Sequence, residues 1–254
     1  MVNVEGYAVR LDEAARNAAP TSQISALEQI SIADAYAIQA ALIGRRVARG
    51  ERLVGVKMGF TSRAKALQMG VEELIFGRLT DAMLIEDGGT VELSRYCHAR
   101  IEPELVLRLG RPLEGAVGAL EAYEAVEAVA PAMELIDSRY ENFKFSLVDV
   151  VADNASSSGV AIGPWRKKPA DPSNLGVVMS FDGRPVQIGS TAAVLGDPVR
   201  ALVTAVRMLA VHGERLEAGS IVMTGGATAA EALKPGVYVQ NEIEGLGRVG
   251  FKTL

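Results

Sequence analysis

Cysteine occurs once in the 254 residues, at Cys97, and histidine twice, at His98 and His212. A single thiol cannot form an intrachain disulfide, which fits a reducing cytoplasm, and Cys97 reads as a small apolar filler. Long hydrophobic runs are missing too: charges interrupt every apolar stretch before it reaches the length of a membrane span. The opening Met1-Val2-Asn3-Val4-Glu5 has neither a basic nor an apolar leader region, so no signal peptide is expected. Surplus positive charge is absent, with a net charge of −5 and a pI near 5.3, which argues against a nucleic-acid partner. Arg166-Lys167-Lys168, beside Pro169, reads as a solvated loop. There is no GxGxxG after a strand, no Walker loop and no GxSxG elbow to place a nucleophilic serine. Gly225-Gly226 is too short to stand for a phosphate loop.

What is present is ordinary for a globular chain, 49% apolar and 22% charged, long enough for one large domain or two small ones. The first fifty residues read as helical. Val9 to Ala19 is Ala-rich and stops at Pro20; Ser31 with Asp34 forms a capping box before Ala35, Ile38, Leu42 and Ile43, and Gly50 closes that helix. Short apolar runs follow, and strands are predicted at 53–58, 83–86, 101–109, 176–181, 220–224 and 236–243. Asp182-Gly183 marks a hairpin turn. Helices are predicted from Leu120 to Val129, ended by Pro131, and from Pro198, capped by Asp197, to about His212. Strands outnumber helices without alternating regularly with them, so a doubly wound sheet is excluded in favour of α+β. The expected organisation is a helical segment over 1–52 packed on a mixed, mostly antiparallel β-roll over 53–254.

The most informative motif is Glu102-Pro103-Glu104 inside the apolar run Ile101 to Leu109. In a strand the two glutamates share one face, while Ile101, Leu105, Leu107 and Leu109 share the other. Crowded carboxylates repel, and a divalent cation relieves that repulsion; Glu134, inside Ala132-Met133-Glu134-Leu135-Ile136, offers a third ligand. The competing reading places Glu102 and Glu104 on the wet face of an edge strand, which Pro103 permits. Lys57, between Gly55 and Gly59, is either a counter-charge pointing at such a site or a surface lysine. The segment 151–159 is dense in small polar groups and is a loop unless it lies beside a metal, where it offers donors to a substrate carboxylate. His98, four residues before Glu102, admits a site role and a structural role equally, and His212 ends a helix.

Four blocks, 54–62, 101–104, 133–140 and 151–157, together resemble the 2-hydroxypentadienoate hydratase/4-oxalocrotonate decarboxylase group of the fumarylacetoacetate hydrolase superfamily, in order and from about Ser31 to Gly250. The resemblance implies a β-roll of the fumarylacetoacetase C-terminal type. It also implies Mg²⁺, or Mn²⁺ in its place, on Glu102, Glu104 and Glu134, with Lys57 at the substrate. Lys57 through Lys65, Gly77 through Asp81, Pro103, Tyr140 through Phe145 and Thr224 through Thr228 resemble the decarboxylase branch more than the hydratase branch. Ala99, where the group usually has proline, is a departure that loosens what the resemblance says about His98. On this reading the substrate is a dicarboxylic keto acid, 2-oxo-3-hexenedioate, with the hydratase reaction as the alternative. Met58, Phe60 and Leu79 would form a dry wall beside the departing carboxylate, and Asp153, Ser158 and Thr228 would contribute to substrate binding. A complex with the pathway hydratase and a homo-oligomer are left open.

Overall fold

The structure is a computed structural model describing residues 2–62 and 73–254. Two helices come first, α1 (Val4–Asn17) and α2 (Ile32–Ala48). α1 starts five residues before the Ala-rich stretch suggests, because Asn3 caps it by accepting the Gly6 N–H. α2 begins as predicted: Ser31 Oγ accepts the Asp34 N–H and the Asp34 carboxylate accepts the Ser31 N–H. Its Ala35, Ile38, Leu42 and Ile43 are buried, the face that the helical spacing marks as apolar.

The strands then run β1 (Leu53–Gly59), β2 (Ile75–Thr80), β3 (Leu84–Ile85), β4 (Thr90–Val91) and β5 (Arg100–Leu109). After helix α3 (Ala119–Ala125) come β6 (Val126–Ile136), helix α4 (Leu147–Ala152), β7 (Ser157–Ile162), β8 (Arg166–Lys167), β9 (Gly176–Phe181) and β10 (Arg184–Ser190). Helix α5 (Pro198–Val211) precedes β11 (Ile221–Met223), β12 (Glu231–Ala232), β13 (Tyr238–Ile243) and β14 (Gly247–Thr253). One sheet has the order β2-β1-β11-β5-β6-β7-β3, with β12 added on β5 and β8 on β6. The other has the order β10-β9-β13-β14-β4. Only β1 with β11, β3 with β7 and β4 with β14 pair in parallel among the described strands, so the class is the mixed, mostly antiparallel α+β expected. Among the described residues no helix is long and apolar enough to cross a membrane.

Ile101, Met133 and Leu135 pack against Met179, Val239, Val249 and Phe251 of the second sheet. Farther along the same face of β5, Leu105, Leu107 and Leu109 join the main core with α5. The opposite face therefore carries Glu102 and Glu104, as alternation requires.

The helix predicted over Leu120 to Val129 is a correction. It ends at Ala125, and Val126 begins an eleven-residue strand that runs through Pro131. The apolar run is too continuous for a helix with a wet face, and pairing with β5 overrides the Ala-rich composition. The prolines of β5 and β6 are accommodated by gaps in their neighbours. Pro103 O accepts from Ala227, in the gap between the β11 and β12 pairings on β5; Pro131 O accepts from Gly163, just past the end of β7. Within a strand residue N and O face the same side, so each missing N–H falls where no ladder runs.

Candidate active site

β5 is a central strand, so the glutamate pair does not lie on an edge strand. Glu102 lies directly opposite Glu134 of β6, and Glu104 opposite Ala132, so all three carboxylates share one face. Glu104 is 0% exposed and Glu134 1% exposed. Lys57 comes to the same face from β1, two strands away through β11, in the register Lys57–Met223–Val106. Its Nζ donates to Glu134 Oε2 at 3.1 Å. Glu104 Oε2 accepts the Gly225 N–H at 2.7 Å. Gly225 has a left-handed φ of 109°, and a Cβ there would lie 1.9 Å from Thr61 Oγ1, so only glycine brings this N–H to the carboxylate. Below, Asn241 Nδ2 donates to Ala132 O at 2.8 Å and fastens the backbone under the acids.

The acids are incompletely satisfied. Glu104 Oε1 and Glu134 Oε1 are buried without a hydrogen-bond partner. Burial, reinforced by Glu134 and Glu102, holds the Glu104 carboxyl well above the usual range; Lys57 and the Gly225 N–H oppose this only in part. Burial also raises Glu134, with Lys57 opposing and Glu102 adding to the shift. Among the described residues no three acidic, histidine or cysteine side chains converge closely enough to chelate an ion as they stand. The donor set nevertheless suits one: oxygen ligands only, on one face, with two buried oxygens open. Glu102, Glu104 and Glu134 are the residues that would hold it.

A cavity of about 320 Å³ opens over this face. Lys57, Glu102 and Glu134 line it beside Met58, Phe60, Ile75, Ile136, Phe143 and Phe145, with Ser156 and Arg100 as further polar lining. Phe60 sits at φ 59°, a left-handed conformation rare for a bulky residue. Asn154, Ala155 and Ser156 are three consecutive left-handed residues at φ 51°, 52° and 59°. Asn154 locks that turn, accepting the Arg78 N–H and donating to the Arg78 carbonyl at 2.7 and 2.9 Å. Gly77 lets the turn approach: a Cβ there would lie 2.5 Å from Asn154 O.

Met58 and Phe60 line the cavity; four other expected substrate contacts do not. Leu79 faces the same side as the acids but pairs with Gly55, four residues along β2 from the cavity-lining Ile75, about 13 Å away at strand rise. It packs with Met83, Val106 and Met223 instead. Asp153 is fully buried and bound to Arg139, whose Nε lies 2.5 Å from its Oδ1. Ser158 Oγ accepts from the same arginine. Thr228 donates to Ala229 O, and although its neighbours Gly226 and Ala229 line the cavity, it does not. His98 also stays outside the lining, edge-on to Phe143 with ring centroids 6.2 Å apart. Arg100, Phe143 and Phe145 are the lining residues that sequence reasoning passed over as contacts. Arg100 was legible in one respect, since it precedes Glu102 by two and so shares its face. Arg63, Ala64 and Lys65, part of the block resembling the decarboxylases, lie outside the described residues.

Comparison with known proteins agrees with this geometry. Residues 52–252 match the model of the fumarylacetoacetate (FAA) hydrolase C-terminal family. A 4-oxalocrotonate decarboxylase of Pseudomonas sp. is 56% identical over 252 residues, 99% of this chain and 98% of that one. A 2-keto-4-pentenoate hydratase of Paraburkholderia xenovorans (strain LB400) is 38% identical over 87% of this chain and 83% of its own. The solved 4-oxalocrotonate decarboxylase of Pseudomonas putida G7, complexed with magnesium and adipate, superposes with a TM-score of 0.95 at 39% identity, covering 99% of this chain and 97% of that one. With its fold, its acidic strand pair and these relatives in agreement, the chain belongs to the fumarylacetoacetate hydrolase family.

Proposed function

We propose that this chain is a divalent-metal-dependent carboxy-lyase that converts 2-oxo-3-hexenedioate to 2-hydroxypenta-2,4-dienoate and CO₂, in the catabolism of aromatic compounds. The observation that carries the reading is a cavity with a charged floor and largely apolar walls: Glu102, Glu134 and Lys57 below, Met58, Phe60, Ile75, Phe143 and Phe145 around it. The relative named as a decarboxylase over the full chain points to the same reaction.

The substrate is a vinylogous β-keto acid. Breaking its C5–C6 bond releases CO₂, and the bonding electrons move through C4 and C3 to the 2-oxo oxygen. Glu102, Glu104 and Glu134 would hold a divalent ion, which would supply Lewis acidity towards the 2-oxo oxygen. Lys57 adds a fixed positive charge beside the oxygen that gains charge, and its bond to Glu134 holds the ammonium in place. Phe60, Phe143 and Phe145 border the space for the carbon chain, and the charge of the distal carboxylate disperses as CO₂ leaves. Hydration would instead require a general base and an admitted water at the far end of the diene. Mn²⁺ is expected to replace Mg²⁺ among all-oxygen ligands.

Incubation with Mg²⁺ and 2-oxo-3-hexenedioate should release CO₂ and accumulate the dienoate. Consumption of the dienoate alone, at a rate comparable with the dicarboxylate, would replace this reading by the hydratase one.

A further inference from the structure

We propose that Arg100 recognises the distal carboxylate of the substrate, and so sets the preference for a dicarboxylic over a monocarboxylic 2-oxo acid. This rests on the reading of the site as one for a six-carbon oxo-dicarboxylate. Among the described lining residues only Lys57 and Arg100 are basic. Lys57 is engaged with Glu134 at the inner end. Arg100 stands at the rim, where the cavity meets two shallower depressions, and its guanidinium carbon lies 4.4 Å from the Phe143 ring centroid. Stacking of this kind pre-orients a planar cation while leaving its N–H edge available. Among the described residues it forms no salt bridge.

The spacing fits. Arg100, Glu102 and Glu104 alternate onto one face of β5, so the Arg100 and Glu102 Cα atoms stand about 6.8 Å apart. Five C–C bonds of about 1.5 Å carry the second carboxyl carbon of a six-carbon chain roughly 6 Å from the first. An acid whose 2-oxo end lies over the carboxylate face therefore brings its far end to the guanidinium. The bond chemistry adds a signature. Arg100 holds the distal group while it is an anion, and that charge disperses as the C5–C6 bond breaks. Its contribution belongs to binding and not to the bond-breaking step.

The test compares wild type with Arg100→Leu and Arg100→Lys in the presence of Mg²⁺. Calorimetric affinities are measured for 2-oxohexanedioate and for 2-oxohexanoate, which differ only in the distal carboxylate. Arg100→Leu should weaken the dicarboxylate by about 10- to 100-fold and leave the monocarboxylate within about twofold, with partial recovery in Arg100→Lys. In turnover, KM for 2-oxo-3-hexenedioate should rise by the same factor while kcat stays level or increases. Equal weakening of both acids, an unchanged dicarboxylate affinity, or a fall in kcat at constant KM would each overturn the assignment. The binding arm needs no catalysis, so a wild-type protein that releases no CO₂ would refute the decarboxylase reading and still leave Arg100 tested.

Discussion

Two of the buried groups of charges in this protein differ in saturation. Around Arg139 every part is matched: Nε and the backbone N–H bind Asp153, one terminal nitrogen takes Asp137 O and Ser158 Oγ, and the other takes Asp153 O. Around Glu104 and Glu134, Lys57 and the Gly225 N–H serve one carboxylate each, and two oxygens stay open. Composition does not separate the two groups, since each joins acidic residues to one basic residue. Satisfaction does. A saturated cluster ties the chain together, as Arg139 and Asp153 tie the end of β6 to the turn after α4. An unsaturated one keeps valence for something that arrives later.

The comparison breaks most directly at Glu104. Glu104→Gln keeps the shape and the acceptor for Gly225 but removes a charge, so turnover should fall by about 10³-fold or more while the circular dichroism spectrum is unchanged. Near-normal turnover in that variant, or after chelation of divalent ions, would remove the metal site. Arg139→Met should do the reverse: it strands Asp153 in the interior and costs about 3–5 kcal/mol of unfolding free energy in a urea titration. Turnover per folded molecule should change much less, and a variant as stable as wild type would show that the saturated cluster is dispensable. Lys57→Ala should reduce kcat by about 10²- to 10³-fold with little change in Mg²⁺ affinity. Loss of thermal stability without loss of kcat would make Lys57 a counter-ion only.

The smallest effect is one of pH. Glu104 and Glu134 hold protons more tightly in the folded chain than in the unfolded one. Their contribution to stability is therefore full at low pH and is lost as pH rises through the raised values. Metal-free protein should melt a few degrees lower at pH 8 than at pH 6, a shift of the size expected for about 1 kcal/mol in a domain of this length. Saturating Mg²⁺ should erase the difference, because it stabilises the ionised carboxylates. A metal-free melting temperature that rises over this interval would contradict the raised values.

Much of this was legible because strands alternate. Glu102 and Glu104 emerge on one face from period-two reasoning alone, Glu134 joins them only through the pairing of β6 with β5, and Ser31 with Asp34 announced α2. Position along a strand was not legible. Leu79 has the right face at the wrong end, which depends on the pairing of Gly55 with Leu79 and of Gly59 with Ile75. Asp153 and Ser158 were misplaced for another reason: a polar segment beside a site resembles a binding loop until its partner, here Arg139, is known. Phe143 and Phe145 reach the cavity from a segment far from the acidic motif; the block 140–145 resembles the decarboxylases, but its residues alone do not place it at the cavity.

Pro103 has a consequence for how this site can change over generations. The register of β5 is pinned twice on that side, by β11 at residues 106–108 and by β12 at residues 100–101. Between these pins proline offers no donor, and the chain from 224 to 230 is held to β5 by Thr224 on Leu105 O, Gly225 on the Glu104 carboxylate and Ala227 on Pro103 O. It supplies Gly226, Ala229 and Ala230 to the cavity. Exchanges at Ala229 and Ala230 leave both pins and the Gly225 contact in place, so the shape of the pocket can drift there while the strand that carries the acids keeps its alignment.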